Sequence, residues 1–295
     1  MLVTILCEVD DFCKQYEKNL NIKLLSDGEG KRDRKSNLQA CEVMTICIYY
    51  HESGYKTFKD YYEKHVKVNL CNDFHNLVSY SRFIELRQKV AFPLMLFSIS
   101  ITAAKKCTGV SIVDSFSLEV CHILRAYSHK VFKKIAKKGK TSVGWFYGLK
   151  LHVVISHQGE ILAAYLTPGN ISDCNEKLLL KLTRKLFGKL FGDKGYIVNK
   201  DLFEKLLLNG IHLITKLRKN MKNKLMDIED KLLLKKRGLI ESVGNVLKER
   251  LSLEHARHRS ITGFLCHIFS TIICYDFRPE KPSINIDFAR KLIAC

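Results

Sequence analysis

The sequence is short of acid. Its 295 residues carry 30 Asp and Glu against 49 Lys and Arg, for a formal net charge of +19. Such an excess repels itself in a folded chain, and a polyanion offsets it. Nucleic acid is the expected partner. A membrane surface is the weaker alternative, because no basic amphipathic segment with an exposed apolar face stands out. Long apolar runs are missing too: the longest, 91–104 and 263–275, are too short to span a bilayer. The opening Met1-Leu2-Val3-Thr4-Ile5-Leu6-Cys7 lacks a basic start and soon meets Glu8, Asp10 and Asp11, which argues against a secretory signal. The eleven cysteines include no C-x-x-C pair. Cys7/Cys13 and Cys41/Cys47 are each six apart, which fits no zinc pattern. The cysteines are expected to be small apolar core residues in a reducing compartment. The histidines show no metal spacing. H-E-x-x-H, G-x-S-x-G and G-x-x-x-x-G-K-S/T are all absent, which removes the zinc-protease, serine-hydrolase and P-loop readings. There is no internal repeat and no low-complexity linker. A soluble, cytoplasmic protein is expected.

What is present divides near Gly109. Residues 1–107 read as a helical N-terminal domain, expected to bind DNA. It holds a helix over 2–25, a second capped by Ser36 with Gln39 at the capping-box position, a third over 55–68 and a fourth over 79–106, interrupted at Pro93. Beyond it, Val110-Ser111-Ile112-Val113 is a short β-branched strand ending in Asp114. Residues 145–156 and 159–167 read as an antiparallel hairpin. Then come a helix over 175–187, a strand at 189–191, a helix over 199–208 ending at Gly210, and a strand over 212–217. That order gives an α/β fold for 108–295: an RNase H-like mixed five-stranded sheet with flanking and C-terminal helices.

After the last strand comes the stretch 235–251. On one helix, Ile240, Val243, Leu247 and Leu251 share an apolar face. Arg237, Glu241, Gly244 and Lys248 form a separate stripe, which Ser252, His255 and Arg259 extend if the helix continues. Alone, this is a solvated face with charge pairs one turn apart. It gains meaning from two aspartates. Asp114 ends the strand expected at the sheet's centre, and Asp193 ends the strand expected beside it. Singly, each reads as a turn residue. Jointly, Asp114, Asp193 and Glu241 meet at one sheet edge. Three such carboxylates repel one another unless a hard divalent cation neutralises them. Oxygen donors suit Mg²⁺ or Mn²⁺, and two ions about 3.5–4 Å apart suit phosphodiester chemistry.

Basic stretches flank this set. Arg125, Lys130, Lys133, Lys134, Lys137, Lys138 and Lys140 run without an acid among them and read as a loop laid along phosphates. Lys216, Arg218, Lys219, Lys222 and Lys224 make a second such surface, and His255-Ala256-Arg257-His258-Arg259 a third. A solvated surface is the alternative for each. Trp145, Phe146 and Tyr147 are candidates for stacking on an exposed base, though alternate residues of a strand more often face the core.

These blocks resemble the DDE transposases of bacterial insertion sequences. Arg237, Glu241 and Lys248 keep the spacing of the Y-x2-R-x3-E-x6-K motif of the insertion-sequence-four-like clan, with Leu234 at the Tyr position. The likeness is nearest to the insertion sequence nine-eighty-two family. It rests on Ile112-Val113-Asp114-Ser115, the run Gly144 to His152, Gly192-Asp193-Lys194-Gly195-Tyr196, Arg218-Lys219-Asn220-Met221-Lys222 and Glu254 to Ser260. Met44-Thr45-Ile46 and Ser79-Tyr80-Ser81-Arg82-Phe83 match in the N-terminal part. The resemblance implies a catalytic, metal-binding triad Asp114, Asp193 and Glu241 with two Mg²⁺ or Mn²⁺ ions. Arg237, Lys248, Lys133, Lys134, Lys137, Lys138, Lys219, Arg257 and Arg259 are the expected DNA contacts. The implied function is a transposase that binds the terminal inverted repeats of its element and performs strand cleavage and transfer. Double-stranded DNA and a second copy of the chain are its implied partners, at the bacterial nucleoid. The alternatives are an RNase H-like nuclease or resolvase that cuts without joining, and an inactive DNA-binding relic.

Overall fold

A computed structural model describes residues 1–27, 37–216, 226–254 and 258–285, with side chains in the first stretch described to residue 19. Two compact units divide the chain. One is Met1–Ile101 with Leu247–Arg278; the other is Thr102–Val246 with the stretch from Pro279.

The first unit is helical. It contains α1 (Leu2–Asp27), α2 (Ala40–Tyr49) and α3 (Phe58–Tyr61), which runs through a π turn (Tyr62–Val66) into α4 (Lys67–Asn69). After these come α5 (Tyr80–Lys89) and α6 (Ala91–Ala104). The cap expected at Ser36 lies outside the described residues. The helix opens at Gln39, whose backbone N–H donates to Glu42 Oε2 at 2.6 Å. Ser79 caps α5 by accepting from the Arg82 N–H. The chain breaks at Val90 rather than at Pro93. Pro93 sits in the first turn of α6, where a missing N–H forfeits no helical bond.

The second unit holds β1 (Val110–Cys121), β2 (Lys137–Lys140), β3 (Trp145–Ser156), β4 (Ile161–Pro168), α7 (Glu176–Thr183) and β5 (Gly188–Gly192). It continues through α8 (Lys200–Leu208), β6 (Ile211–Thr215), α9 (Ile228–Lys235) and α10 (Leu239–Asn245). The last helix, α11 (Ile261–Asp276), belongs to the first unit, against α2 and α5. The sequence reading had placed it with the sheet. Its burial on nearly every face explains the difference, since a helix apolar all round needs cover on more than one side.

The strand order is β2-β3-β1-β5-β6, with β4 also on β3. β3 runs antiparallel to β1 and β4, while β1, β5 and β6 are parallel. This is the RNase H-like mixed sheet, with one strand more than expected. The extra strand is β2. Lys137–Lys140 was read as a phosphate-binding loop, but it pairs antiparallel with Trp145–Gly148 at the start of β3. Lysine and glycine are poor strand formers, and here the pairing partner decides. Val113, Val154, Leu190 and Leu213 from the strands pack with Leu178, Leu179 and Leu182 of α7 and Leu202 and Leu206 of α8 in one buried cluster.

Two local readings need correction. β1 does not stop at Asp114 but continues to Cys121. Phe116, Leu118 and Val120 alternate with polar residues after it, and all three are buried, which is strand periodicity. The stretch 235–251 is not one regular helix. A 3-10 turn (Lys236–Gly238) joins α9 to α10, and a π turn (Val246–Arg250) follows. Ser252 then adopts φ +56°, left-handed backbone that ends the run, so Ser252 and Arg259 do not extend the stripe. His255 lies outside the described residues. Within the first unit, the carbonyls of Leu251 and Ser252 accept from buried rings, at 2.8 Å from His51 Nδ1 and 2.9 Å from His267 Nε2. Burial lowers the His51 pKa to about 3, so the ring is neutral and Nδ1–H donates.

Of the cysteines, Cys13, Cys41, Cys47, Cys266 and Cys274 are buried, whereas Cys7 and Cys71 are exposed. Among the described residues no helix is long and apolar enough to cross a membrane.

Candidate active site

The opening of the sheet is made by a short strand. β5 pairs with β1 in parallel at Val110↔Lys189, Ser111↔Leu190 and Ile112↔Phe191, and ends at Gly192. β1 runs on without it. The same register carried two steps further sets Asp114 opposite Asp193. Asp114 therefore lies mid-strand, at the point where its neighbour turns away. Asp193 leads a 3-10 turn (Lys194–Tyr196), and its Oδ1 accepts from the Gly195 N–H at 2.7 Å. Asp114 Oδ1 accepts from the Ser115 N–H at 2.8 Å.

The stripe, which alone would be a solvated face, is covered at Arg237 and Gly244 and open at Glu241. Arg237 is 15% exposed, and its guanidinium stands between two carboxylates, 3.6 Å from Asp114 Oδ2 and 3.5 Å from Glu241 Oε1. Gly244 is buried against the Phe116 ring of β1. Glu241 keeps 65% of its side chain exposed. Lys248 belongs to the other compact unit, where it pairs with Glu254 at 2.5 Å.

A carboxylate absent from the sequence expectation, Asp173, also lies here, between β4 and α7. Its Oδ1 accepts from Ser115 Oγ at 2.9 Å and from Lys150 Nζ at 3.2 Å. His152 Nδ1 is 3.7 Å from the same oxygen, while Nε2 meets Thr167 Oγ1 at 2.9 Å. Burial lowers the His152 pKa to about 4, against the pull of Asp173, so the ring is neutral at physiological pH. A signal for this site was in the sequence. Lys150 and His152 interrupt an otherwise apolar strand two residues apart, on one face, and buried polar groups require partners.

Burial pushes the Asp114 carboxyl up to about 6. The charges of Asp193 and Asp173 push the same way, while the Ser115 N–H and Arg237 oppose them. A folded-state pKa above the ordinary 3.8 means that the folded chain holds the proton more tightly than the unfolded one. Stability is then full at low pH and falls as pH rises from about 4 to about 6. The cost at neutral pH is roughly 1–3 kcal/mol. Asp114→Asn keeps the acceptor for Ser115 and removes the charge. It should raise the melting temperature by a few degrees at pH 7.5 in chelator and leave it unchanged near pH 4. Thermal denaturation at both pH values checks this; an equal drop at both would show that the buried charge carries no penalty.

The donor chemistry around Asp114 and Asp193 is all carboxylate oxygen, which suits a hard divalent cation. Arg237 separates Glu241 from Asp114, and among the described residues no group of three or more His, Cys, Asp or Glu is arranged to hold an ion.

The basic segment before β3 is fixed, not loose. Phe132 and Ala136 are buried, while Lys133, Lys134, Lys137, Lys138 and Lys140 are exposed. Lys138 Nζ lies 4.2 Å above the Tyr127 ring, and Lys140 Nζ lies 5.7 Å from the ring centre of Trp145. Of the aromatic run, Trp145 is 61% exposed and Phe146 and Tyr147 are buried. Arg259 is exposed on the first unit; Lys219 and Arg257 lie outside the described residues.

Residues 104–261, just over half of the chain, match the family model described as a transposase DDE domain. No curated protein matches the sequence. Among solved structures, the chain is similar to a piggyBac transposase synaptic complex with hairpin DNA. The identity is 11% and the TM-score 0.49, over 90% of this chain and 72% of that one. It is also similar to the Mos1 transposase paired-end complex with the left transposon end, at 11% identity and TM-score 0.27, over 85% of this chain and 83% of that one. At these identities and scores, neither likeness bears on the site or the reaction.

Proposed function

The chain belongs to the family of DDE transposase domains, and from that premise we propose that it cleaves and joins DNA at the terminal inverted repeats of its own insertion sequence. An element of the insertion sequence nine-eighty-two kind fits the sequence blocks. The observation that supports the reading most is the β1–β5 register, which sets Asp114 against Asp193 with Arg237 and Glu241 beside them. DDE transposases work with divalent metal. Here Asp114, Asp193 and Glu241 would hold Mg²⁺ or Mn²⁺, expected as two ions, which supplies Lewis acidity at the scissile phosphodiester. The chain's own residues do the rest. Arg237, planar and always charged, suits a two-point contact with a phosphate brought to the carboxylates. The Ser115 N–H holds one oxygen of Asp114 and the Gly195 N–H one oxygen of Asp193, which would limit the reorganisation needed when DNA arrives.

Lys133, Lys134, Lys137 and Lys138 would track the backbone of bound duplex, with Lys248, Lys219, Arg257 and Arg259 as further contacts. Affinity for element-end DNA should fall steeply with salt, since each contacted phosphate releases counterions. Changing those four lysines together to Ala should flatten the slope of log affinity against log salt by roughly 2–4 units. A slope unchanged within error, measured by anisotropy across a salt series, would remove the segment from the DNA path.

Joining two ends needs two sites close together, so a homodimer on DNA is part of the proposal. The helical N-terminal unit would supply DNA binding, at the bacterial nucleoid. The test is a labelled duplex carrying the element's end, with Mg²⁺ or Mn²⁺ and a target plasmid. Nicking at the end followed by joining is expected, with two protein copies per complex by light scattering. Nicking without joining would leave a nuclease or resolvase. Binding with neither would leave a DNA-binding relic.

A further inference from the structure

Asp173 has no role in the proposed reaction, yet its carboxylate accepts from two side chains, where Asp114 and Asp193 each accept from one backbone N–H. One of its oxygens, Oδ1, accepts from Ser115 Oγ at 2.9 Å and Lys150 Nζ at 3.2 Å. Lys150 is itself tied down, because Nζ also donates to the Ile171 carbonyl at 3.2 Å. The other oxygen, Oδ2, faces the turn after β5. A methyl group added at Gly195 would come within 3.4 Å of Asp173 Oδ2 and 2.9 Å of Asp193 Oδ1. Gly195 is the residue whose N–H fixes Asp193 Oδ1 at 2.7 Å. Asp173 thus accepts from the residue next to Asp114 with one oxygen, while the other lies near the turn that orients Asp193.

We propose that Asp173 is a positioning residue for strand cleavage: through the bond it accepts from Ser115 it sets Asp114 against Asp193. The inference rests on Asp114 and Asp193 being the reacting pair. A plainer account makes Asp173 only the counter-charge of Lys150, whose side chain is 12% exposed. Two observations favour positioning. Oδ1 accepts from the neutral hydroxyl of Ser115 as well as from the ammonium, which a mere counter-charge does not require. His152, the other neighbour of Oδ1, is neutral and engaged by Thr167, so the site is built of hydrogen bonds around one charge pair.

The experiment uses the full chain and labelled end DNA in Mg²⁺, with Asp173→Ala, Asp173→Asn, Ser115→Ala and the pair Ser115→Ala with Asp173→Ala. Asp114→Asn is the reference. Asp173→Ala should lower kcat by roughly tenfold to a hundredfold, the usual cost of losing an orienting partner, with KM for DNA changed by about twofold or less. Asp173→Asn still presents an acceptor to Ser115 and should recover most of that loss. The paired variant should be no worse than Asp173→Ala, because both act through one contact. A merely structural role would lower the melting temperature and active fraction without this split or this rescue. Asp173→Ala with kcat near that of the parent overturns the proposal. So does Asp173→Asn as inactive as Asp114→Asn, since the reaction would then need the charge itself. If Asp173→Ala fails to fold, Asp173→Asn and Ser115→Ala decide: a kcat loss in Ser115→Ala that exceeds that in Asp173→Asn supports positioning, and any other order overturns it. If Asp114→Asn itself cleaves normally, the failure lies with the assignment of the reacting pair.

Discussion

Asp114→Asn, Asp193→Asn and Glu241→Gln should each lower cleavage of element-end DNA by roughly a hundredfold or more, while binding in Ca²⁺ stays within a few fold. Each change is nearly isosteric and removes one negative charge from a site whose ion placement depends on charge. Folding offers no competing explanation. Asn at 114 keeps the acceptor for the Ser115 N–H and, by the pH argument, gains stability. Asn at 193 keeps the acceptor for Gly195. Glu241 is mostly exposed, so Gln costs little there. If these three were a strand residue, a turn residue and a surface charge, cleavage would stay near that of the parent. The measurement is cleavage in Mg²⁺ or Mn²⁺ with binding on the same preparations. Normal cleavage by one variant removes that residue from the site, and normal cleavage by all three removes the site.

Gly244→Val should destabilise the second unit by about 1–3 kcal/mol and lower cleavage at least tenfold. A Cβ at 244 would stand 2.5 Å from Phe116 Cε1 and 2.8 Å from Cζ. Phe116 is 8% exposed, so its ring cannot swing into solvent. Two effects compete at this position. A side chain in place of glycine favours helix by up to about 1 kcal/mol. The clash outweighs that gain, because contacts this short force α10 off the sheet. Glu241 lies one turn away on the same helix and moves with it. Adding Phe116→Ala to Gly244→Val makes room and should restore much of the stability and part of the activity. Chemical denaturation and cleavage of the single and double variants check this; a double variant no better than the single one would show that α10 is placed by other contacts.

How much of this could be read in advance depends on where the information is local. The β3–β4 hairpin, the starts of α7 and α8 after Asn175 and Asn199, and the Asp193 turn all carry nearby signals. Each lies where the sequence placed it. The length of β1 is also legible, in the alternation of Phe116, Leu118 and Val120 beyond Asp114. β2 was not legible, because a Lys-Lys-Gly-Lys strand exists only through its partner β3. Nor was the break in 235–251. Gly238 permits a 3-10 turn without demanding one, and the π turn after Asn245 has no local signature. The spacing and the resemblance make Arg237 a phosphate contact. That it lies between Asp114 and Glu241 depends on how α10 crosses β1, which Gly244 allows and a helical wheel does not show.

Trp145 gives the second unit a built-in optical reporter. It is the chain's one tryptophan, at the edge of the sheet where β2 meets β3. An indole this open to water emits at the red end of its range, and nothing else in the protein contributes indole emission. Lys140, close to its ring, couples that emission to the local charge. A shift or quench on mixing with another molecule therefore reports contact at that one edge, without a label and without changing a residue.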